Sequence, residues 1–545
     1  MNFVNGCCII GENKVSDTGE HGGIYMIKKL ICATLIMLMV MSTAVPCLAA
    51  GYDEKPSIYV TGARVTHIHA ADGSLLFPNE GVDAGEVVKE ALRPCFQKLA
   101  KGMITGDYEP WAMEFRDAMI KIFGDMALDK NGEASDGSYP EHPYNYSLPK
   151  KSSNYDVMDY RLWYDWRLSP LDVAVDLRSY IDQVKAVTGE EKVNIIGRCY
   201  GANVVQAYLT LYPDHALANV DDVSYLSSSV DGIDALGALF TGDIELEDQA
   251  VSNFVDYYME HEDLVEDEET KALIVSAVEM FNYISVLGLT GDALELFLRR
   301  VRHDVFPLVL KDTFAGWPSY WAMVPADKYE EAKDFIFAGV EDEYAGFIKK
   351  CDDYYNKVQL KAVQTLKYLN AGGIDFYIIS KYNFPDIPIY EGATALSDGN
   401  TTVLRQSFGA TCAEHGEVLS KKYISSLRDK RYLSPDHKID ASTCLFPETS
   451  YFIKNLHHET FPAAINNFAV TVMNHEATVS GGEYAQYQLY NGTAELEVVE
   501  GLDEDGDEYE EPKQMIFIRF FTALLRILRK IFTGGLDING AQGNA

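Results

Sequence analysis

The chain has 545 residues, 47% of them apolar, enough to bury a sizeable core in one large domain with an insertion or in two domains. Its formal net charge of −36 argues against a nucleic-acid partner, whose phosphates demand a basic face, and fits a solvated acidic surface.

The first feature along the chain is an address. "MIKKLICATLIMLMVMSTAVPCLAAG" (26–51) sets Lys28 and Lys29 before an apolar run that ends in small residues, the order of a secretory signal, with cleavage expected after Ala49 or Ala50. An uncleaved membrane anchor is the competing reading, weakened by an apolar run short for a bilayer span. Residues 1–25 precede that signal, so Met26 is the expected start and 1–50 is read as leader. Of nine cysteines, Cys7, Cys8, Cys32 and Cys47 fall there. The five that remain, Cys95, Cys199, Cys351, Cys412 and Cys444, are an odd number, which leaves an exported protein at least one unpaired thiol. Cys199 is the natural candidate, and Cys412 with Cys444 the expected bonded pair.

"SIYVTGARV" (57–65) reads as a strand entering a glycine turn, and "VMDYRLWYDWRL" (157–168) as a buried aromatic strand. A helix follows from Pro170, then the β-branched strand "KVNIIG", then a helix "ANVVQAYLTLYP" closed by Pro213. "DDVSYLSSSV" (221–230) is the next strand and its exit loop. This order predicts an α/β fold with a mostly parallel central sheet covered by helices on both faces. From 231 to 370 the periodicity turns helical with few strand signals, as expected of an inserted all-helical cap. "GIDFYIIS" (373–380) restores the sheet and "TSYFIKNL" (449–456) supplies a late strand. The expected organisation is therefore a core in two parts, 51–230 and 371–495, around the cap. An acidic linker at 496–512 and a helix and tail at 513–545 complete the chain.

Asp503, Asp505 and Asp507 have the spacing of a calcium loop, but Gly506 and the distal glutamate are out of register, and no metal site is expected. "QMIFIRFFTALLRILRKIF" (514–532) sets Arg519, Arg526, Arg529 and Lys530 at near-helical intervals among large apolar residues. Such a helix suits peripheral contact with a membrane surface, or docking onto the protein's own core.

The chemistry gathers at "NIIGRCYGANVV" (194–205), where Gly197 and Gly201 bracket Cys199 between strand and helix. That is the spacing of a nucleophile elbow, in which side chains at the glycine positions would clash across the strained turn. The helix N-terminus behind Cys199 favours a thiolate and an oxyanion alike. Arg198 adds positive charge nearby, depending on where its side chain points. Chain order nucleophile, acid, histidine then selects Asp398 in the Ser-Asp-Gly turn and His458 after the late strand, with its neighbour His457 as the alternative base. Oxyanion donors are expected from the backbone N–H groups of Tyr200 and, in the turn after the first strand, Ala63.

"YDWRLSP" (164–170), the elbow, "GWPSYWAMVP" (316–325), "SDGNTTV" and "FIKNLHH" together resemble the lipase and lecithin–cholesterol acyltransferase branch of the α/β-hydrolases, secreted bacterial members above all, over residues 56–475. The resemblance implies the α/β-hydrolase fold, lipid or acyl-ester substrates, a helical lid and no cofactor. It carries the nucleophile to Cys199, the acid to Asp398 and the base to His458. The departure is Gly-Arg-Cys where that family has Gly-His-Ser. A thiolate leaves more readily than the alkoxide of an ordinary ester, so thioesters, lactones and activated esters suit a cysteine better. The cap aromatics Trp317, Tyr320 and Trp321 either line an acyl site or pack the cap core. Two functions stay open: an exported acyl hydrolase or acyltransferase, and an inactive lipid- or partner-binding envelope protein on the same fold.

Overall fold

The computed structural model describes residues 55–501, apart from 79–93, 124–125, 143–146, 151–156, 255–256, 258–300 and scattered single positions. The leader, the calcium-like acidic run, the 514–532 segment and part of the expected cap lie outside the described residues.

The central sheet contains β1 (Ser57–Val60), β2 (Tyr160–Leu162), β3 (Val193–Arg198), β4 (Val220–Leu226), β5 (Asp375–Tyr382), β6 (Ser450–Lys454), β7 (Tyr487–Leu489) and β8 (Glu497–Val498). Their spatial order is β8-β7-β6-β5-β4-β3-β1-β2. Every pairing is parallel except the edge pair β7–β8. Register on β1 sets Ile58 opposite both Tyr160 and Ile195. All six residues of β3 are buried, Asn194 and Arg198 included, as in a strand covered on both faces.

The chain steps from β1 out to the edge strand β2, returns across β1 to β3, and then builds outward. That reversal opens a crevice at the carboxyl ends of β1 and β3, where open α/β sheets bind their ligands. One face is covered by α1 (Pro170–Thr188) and α2 (Tyr200–Leu211). Ser169 caps α1 by accepting from the Leu171 N–H, Pro170 fills the first helical position, and Val173, Leu177, Ile181 and Val184 form its buried stripe. On the opposite face Tyr59, Ile196, Leu226, Ile379 and Ile453 pack against Ile465, Ala469 and Met473 of α6 (Ala463–Asn474), a helix the sequence pattern left unassigned.

The excursion between β4 and β5 is helical, including α3 (Asp234–Thr241), α4 (Tyr329–Phe337) and α5 (Ala362–Ala371). Its core is aromatic: Trp321 meets Phe240, Tyr329 and Phe337 at ring separations of 5.1, 5.8 and 5.4 Å. The last helix, α5, packs on α2 and β5, so the end of the expected cap belongs to the layer covering the sheet. A helix at Glu109–Phe123, between β1 and β2, joins the excursion and ties to it through Arg116 Nη1 and Asp312 Oδ2 at 2.8 Å.

β1 ends at Val60 and Thr61–Arg64 forms the glycine turn read there. Two other boundaries differ from those read in the sequence. β2 covers only Tyr160–Leu162 because Asp165–Arg167 folds into a buried ion pair. The strand at 450–454 is not the last, since β7 and β8 extend the sheet beyond it and Glu497–Val498 pairs within the expected linker. Strands of two or three residues carry too little alternation to be seen in advance. Cys412 and Cys444 share one apolar cluster as free thiols, both pushed up by burial, Cys444 to about 12.

Asp222 on β4 is buried beside Asp221, Asp375 and Glu476, and its Oδ2 has no hydrogen-bond partner among the described residues. Burial, then Asp221, push its carboxyl up to about 7, with Lys55 only partly opposing. A folded pKa above the unfolded value means the native state loses stability as pH rises from the ordinary carboxylate range to about 7. Asp222→Asn is therefore expected to raise the melting temperature at about pH 8 and to leave it almost unchanged at about pH 4, measured by circular dichroism.

Candidate active site

The corner between β3 and α2 is set by steric contact. A side-chain carbon on Gly201 would stand 2.1 Å from the Val60 carbonyl oxygen, and one on Gly197 would stand 2.9 Å from Ala202 Cα. With both positions pressed against backbone, the chain reverses at Cys199, which adopts φ 49° and ψ −124°. Such a conformation costs a residue other than glycine about 1–3 kcal/mol and is found where the surroundings over-determine it. Cys199 N–H donates to the Leu226 carbonyl at 2.9 Å, fastening the corner to the end of β4. The sulfur stands half-buried at the mouth of the crevice.

The turn after β1 faces Cys199, with Gly62 approaching so closely that an added carbon would lie 3.2 Å from Cys199 Cβ. The Tyr-Asp-Trp-Arg motif braces this turn. Tyr164 donates its hydroxyl hydrogen to the Thr61 carbonyl, and Trp166 Nε1–H donates to Thr66 O at 3.2 Å. Arg167, fully buried, pairs with Asp165 through Nη2–Oδ2 at 2.6 Å and Nε–Oδ1 at 3.0 Å, and reaches Ser138 Oγ at 2.7 Å. The motif thus holds the Ala63 turn from below.

Asp398 follows β5 in a turn whose Gly399 has φ 95°. Its Oδ1 accepts from the Thr401 N–H at 2.9 Å, and its Oδ2 lies 2.7 Å from His458 Nδ1. The His458 N–H also donates to the Asp398 carbonyl at 2.8 Å, so the two residues are joined by side chain and backbone. His458 Nε2 lies 3.1 Å from Cys199 Sγ. Burial would raise the Asp398 carboxyl, but His458, Lys381 and the Thr401 N–H outweigh it and hold it below the usual carboxylate range. Burial would likewise lower His458, yet Asp398 and the Cys199 sulfur reverse this and push it well above the usual histidine value. A proton is thereby held on the imidazole between a carboxylate and a sulfur.

Cys199, His458 and Asp398 are therefore brought together. His457 is not part of the set: its ring turns away against Phe384 at 5.2 Å and against Gly399, and burial lowers its pKa to about 4. Ala63 lines the cavity over Cys199, and Tyr200 opens α2, where an N–H has no intrahelical acceptor. The Tyr200 ring is buried, with its hydroxyl donating to Leu168 O at 2.7 Å. Arg198 turns to the opposite face of the sheet, its guanidinium 3.6 Å above the Phe461 ring.

Above the sulfur opens a cavity of about 870 Å³, counting its mouth, walled by Ile233, Leu236, Leu239, Phe314, Met323 and Ile389. Tyr320 is part of this wall, whereas Trp317 and Trp321 are not. The two tryptophans sit in the aromatic core, with Nε1–H groups donating to Met126 O and Ala315 O, both at 2.9 Å. Buried indole N–H groups with backbone acceptors are anchored there and cannot turn toward the cavity without losing those bonds.

The sequence reading passed over Lys381, which bonds the turn carrying His458, and Glu459 at the cavity edge. A lysine inside the otherwise buried strand "DFYIISKY" was the available signal, since buried cations require a polar partner. No group of metal-ligating side chains and no helix long and apolar enough to cross a membrane occurs among the described residues. Compared with known proteins, the chain matches no family model and is similar to none of the characterised proteins searched.

Removing the Arg167 guanidinium strands the Asp165 carboxylate in the core. Arg167→Ala is expected to lower stability by about 3–5 kcal/mol in urea unfolding.

Proposed function

We propose that this protein is an exported acyl-transferring enzyme of the α/β-hydrolase type, with Cys199 as nucleophile, His458 as acid and base, and Asp398 as its orienting carboxylate. The observation that carries the reading is the sulfur–imidazole–carboxylate line, 3.1 and 2.7 Å in its two steps, at the crest of a strained corner and under an apolar cavity. Non-catalytic folds have no need to hold a half-buried sulfur and an imidazole at such distances.

The Cys199 thiolate attacks an acyl carbonyl, and the oxyanion that forms is met by the N–H groups of Tyr200 and Ala63. His458 passes its proton to the departing thiol or alcohol as the carbonyl reforms, leaving an acyl-thioenzyme. An acceptor, whether water, alcohol, amine or thiol, then attacks that thioester while His458 Nε2 takes its proton. The second collapse expels the Cys199 sulfur and restores the starting state. Because a thiolate is expelled more easily than an alkoxide, thioesters and activated esters turn over and simple alkyl esters lag. The apolar wall accommodates an acyl chain, with Tyr320 on one side. The 26–50 leader supports export, and the 514–532 segment supports a hold on a membrane surface.

The decisive experiment treats the protein with an octanoyl thioester and with the matching ethyl ester, and maps the acyl adduct by mass spectrometry. The adduct is expected on Cys199, from the thioester far faster than from the ester, with turnover lost in Cys199→Ala. Turnover that survives this substitution, or an adduct on another residue, overturns the reading; no adduct together with tight lipid retention favours a binding protein. Asp398→Asn is expected to reduce kcat by about 10⁴-fold while leaving KM nearly unchanged, because the imidazole loses both its orientation and its charge partner. The same substitution removes the largest influence raising His458, so the alkaline limb of the pH–rate profile should move to lower pH.

A further inference from the structure

The turn bearing the base is wrapped around a buried cation. Lys381, next to last in β5, is fully buried, and its Nζ donates to the carbonyls of His457, His458 and Thr460 at 3.0, 2.9 and 2.9 Å. All three ammonium hydrogens are engaged, and among the described residues the group pairs with no carboxylate within 4.0 Å. Nζ also lies 3.3 Å from the centroid of Phe461, a ring that carries the Arg198 guanidinium at 3.6 Å. An ammonium in the core is costly unless its hydrogens are satisfied, and an apolar residue would cover the sheet at less cost. What this lysine does that an apolar residue cannot is gather three carbonyls of one short turn onto a single point.

We infer that Lys381 is the positioning residue of the site: by gathering the carbonyls of 457, 458 and 460 it fixes the backbone of His458, so that one imidazole nitrogen meets Cys199 while the other meets Asp398. The inference rests on the reading of Cys199, His458 and Asp398 as the reactive centre. The His458 carbonyl is bonded to Lys381 and its N–H to Asp398 O, so both sides of the residue are tied down. A shift of about 1 Å at a reacting group costs on the order of 10²-fold in rate, which makes anchoring of this turn a kinetic matter. The lysine charge also acts on Asp398, where it is one of the influences keeping the carboxyl ionised.

The same arrangement responds to alkali. The charged and titratable groups facing Lys381 are Asp398, Glu459 and Cys199, which favour its ammonium form, and Arg198, which opposes it. His457 and His458, on the turn itself, complete the set. Burial is the largest influence and pushes the group well below the usual lysine value. A neutral amine offers two hydrogens to three carbonyls, so deprotonation frees one corner of the turn.

The test compares wild type with Lys381→Met and Lys381→Arg. It reads urea stability, kcat and KM with the thioester, and the pH dependence of iodoacetamide alkylation of Cys199. Lys381→Met is expected to lose about 10²-fold in kcat with little change in KM, and to slow Cys199 alkylation at neutral pH. Lys381→Arg keeps the charge but presents a planar fork to convergent carbonyls, and should fall between the two. Besides the alkaline limb set by His458, wild type should show a second reversible loss of activity and of Cys199 alkylation in alkali, without unfolding, and this second loss should be absent in Lys381→Met. A folded Lys381→Met with wild-type kcat and an unchanged alkylation profile overturns the inference; if that variant does not fold, Lys381→Arg with both properties unchanged does so. Alkylation needs no substrate, so positioning is judged even where turnover is not seen. Activity retained by Cys199→Ala would instead refute the reading of the centre itself.

Discussion

The constraint from which the site follows is the contact between the start of α2 and the end of β1. With Gly201 set against the Val60 carbonyl, no side chain fits at that position, and the chain can turn from β3 into α2 only by driving Cys199 into a left-handed backbone. The cost of that backbone is local. What holds it is distributed: the β3–β1 and β3–β4 ladders, the Cys199–Leu226 hydrogen bond and the apolar packing of α2. The corner stands at the point where strand order reverses, so the sulfur meets a crevice rather than a packed surface.

Around this corner the protein buries an unusual amount of charge and satisfies it locally. Asp398, His458 and Lys381 are all nearly inaccessible, and each is bonded to one of the others or to the turn between them. In a low-dielectric interior such groups either pair fully or change protonation state, so removing one member alters the state of the rest. The Tyr-Asp-Trp-Arg segment plays the corresponding part on the other side, where a buried ion pair and two aromatic hydrogen bonds hold the turn containing Ala63. Arg405 adds a third tie. It extends from the segment after Asp398 to Asp234 at 2.8 Å, and so links the acid loop to α3, whose Leu236 and Leu239 wall the cavity.

The helical excursion is not one unit in the mechanics of the fold. α3 and the Phe314–Met323 region form the cavity wall, while α5 returns to the sheet layer. The helix inserted between β1 and β2 packs on the 301–311 part of the excursion from a distant part of the sequence, outside the cavity wall.

Much of this was legible in advance because it is local. Glycines at 197 and 201, a β-branched run before them and an apolar helix after them state a corner in a dozen residues. Ser169-Pro170 states a helix start, and the long buried strands declare themselves by clusters of β-branched and aromatic residues. Chain order sufficed to pick Asp398, because a Ser-Asp-Gly turn after a strand is a local signal too. His458 was favoured over its neighbour as the base with His457 kept as the alternative, since neighbours in sequence share most local properties; the packing of His457 against Phe384 and Gly399 turns that ring away from Cys199. The cap aromatics also needed the fold, where Tyr320 reached the cavity while Trp317 was claimed by the distant Met126 carbonyl and Trp321 by that of Ala315. Strands β7 and β8 were too short to carry a pattern, and Lys381 stood in plain view without its three carbonyls, which lie more than seventy residues away. Composition and periodicity determined a parallel α/β sheet with a strained cysteine corner, because those depend on backbone sterics and burial within a few residues. How the side chains named from chain order are oriented toward that cysteine, and that Lys381 holds their turn, was decided only by tertiary structure, because hydrogen bonds and buried charge are satisfied by whatever the fold brings near.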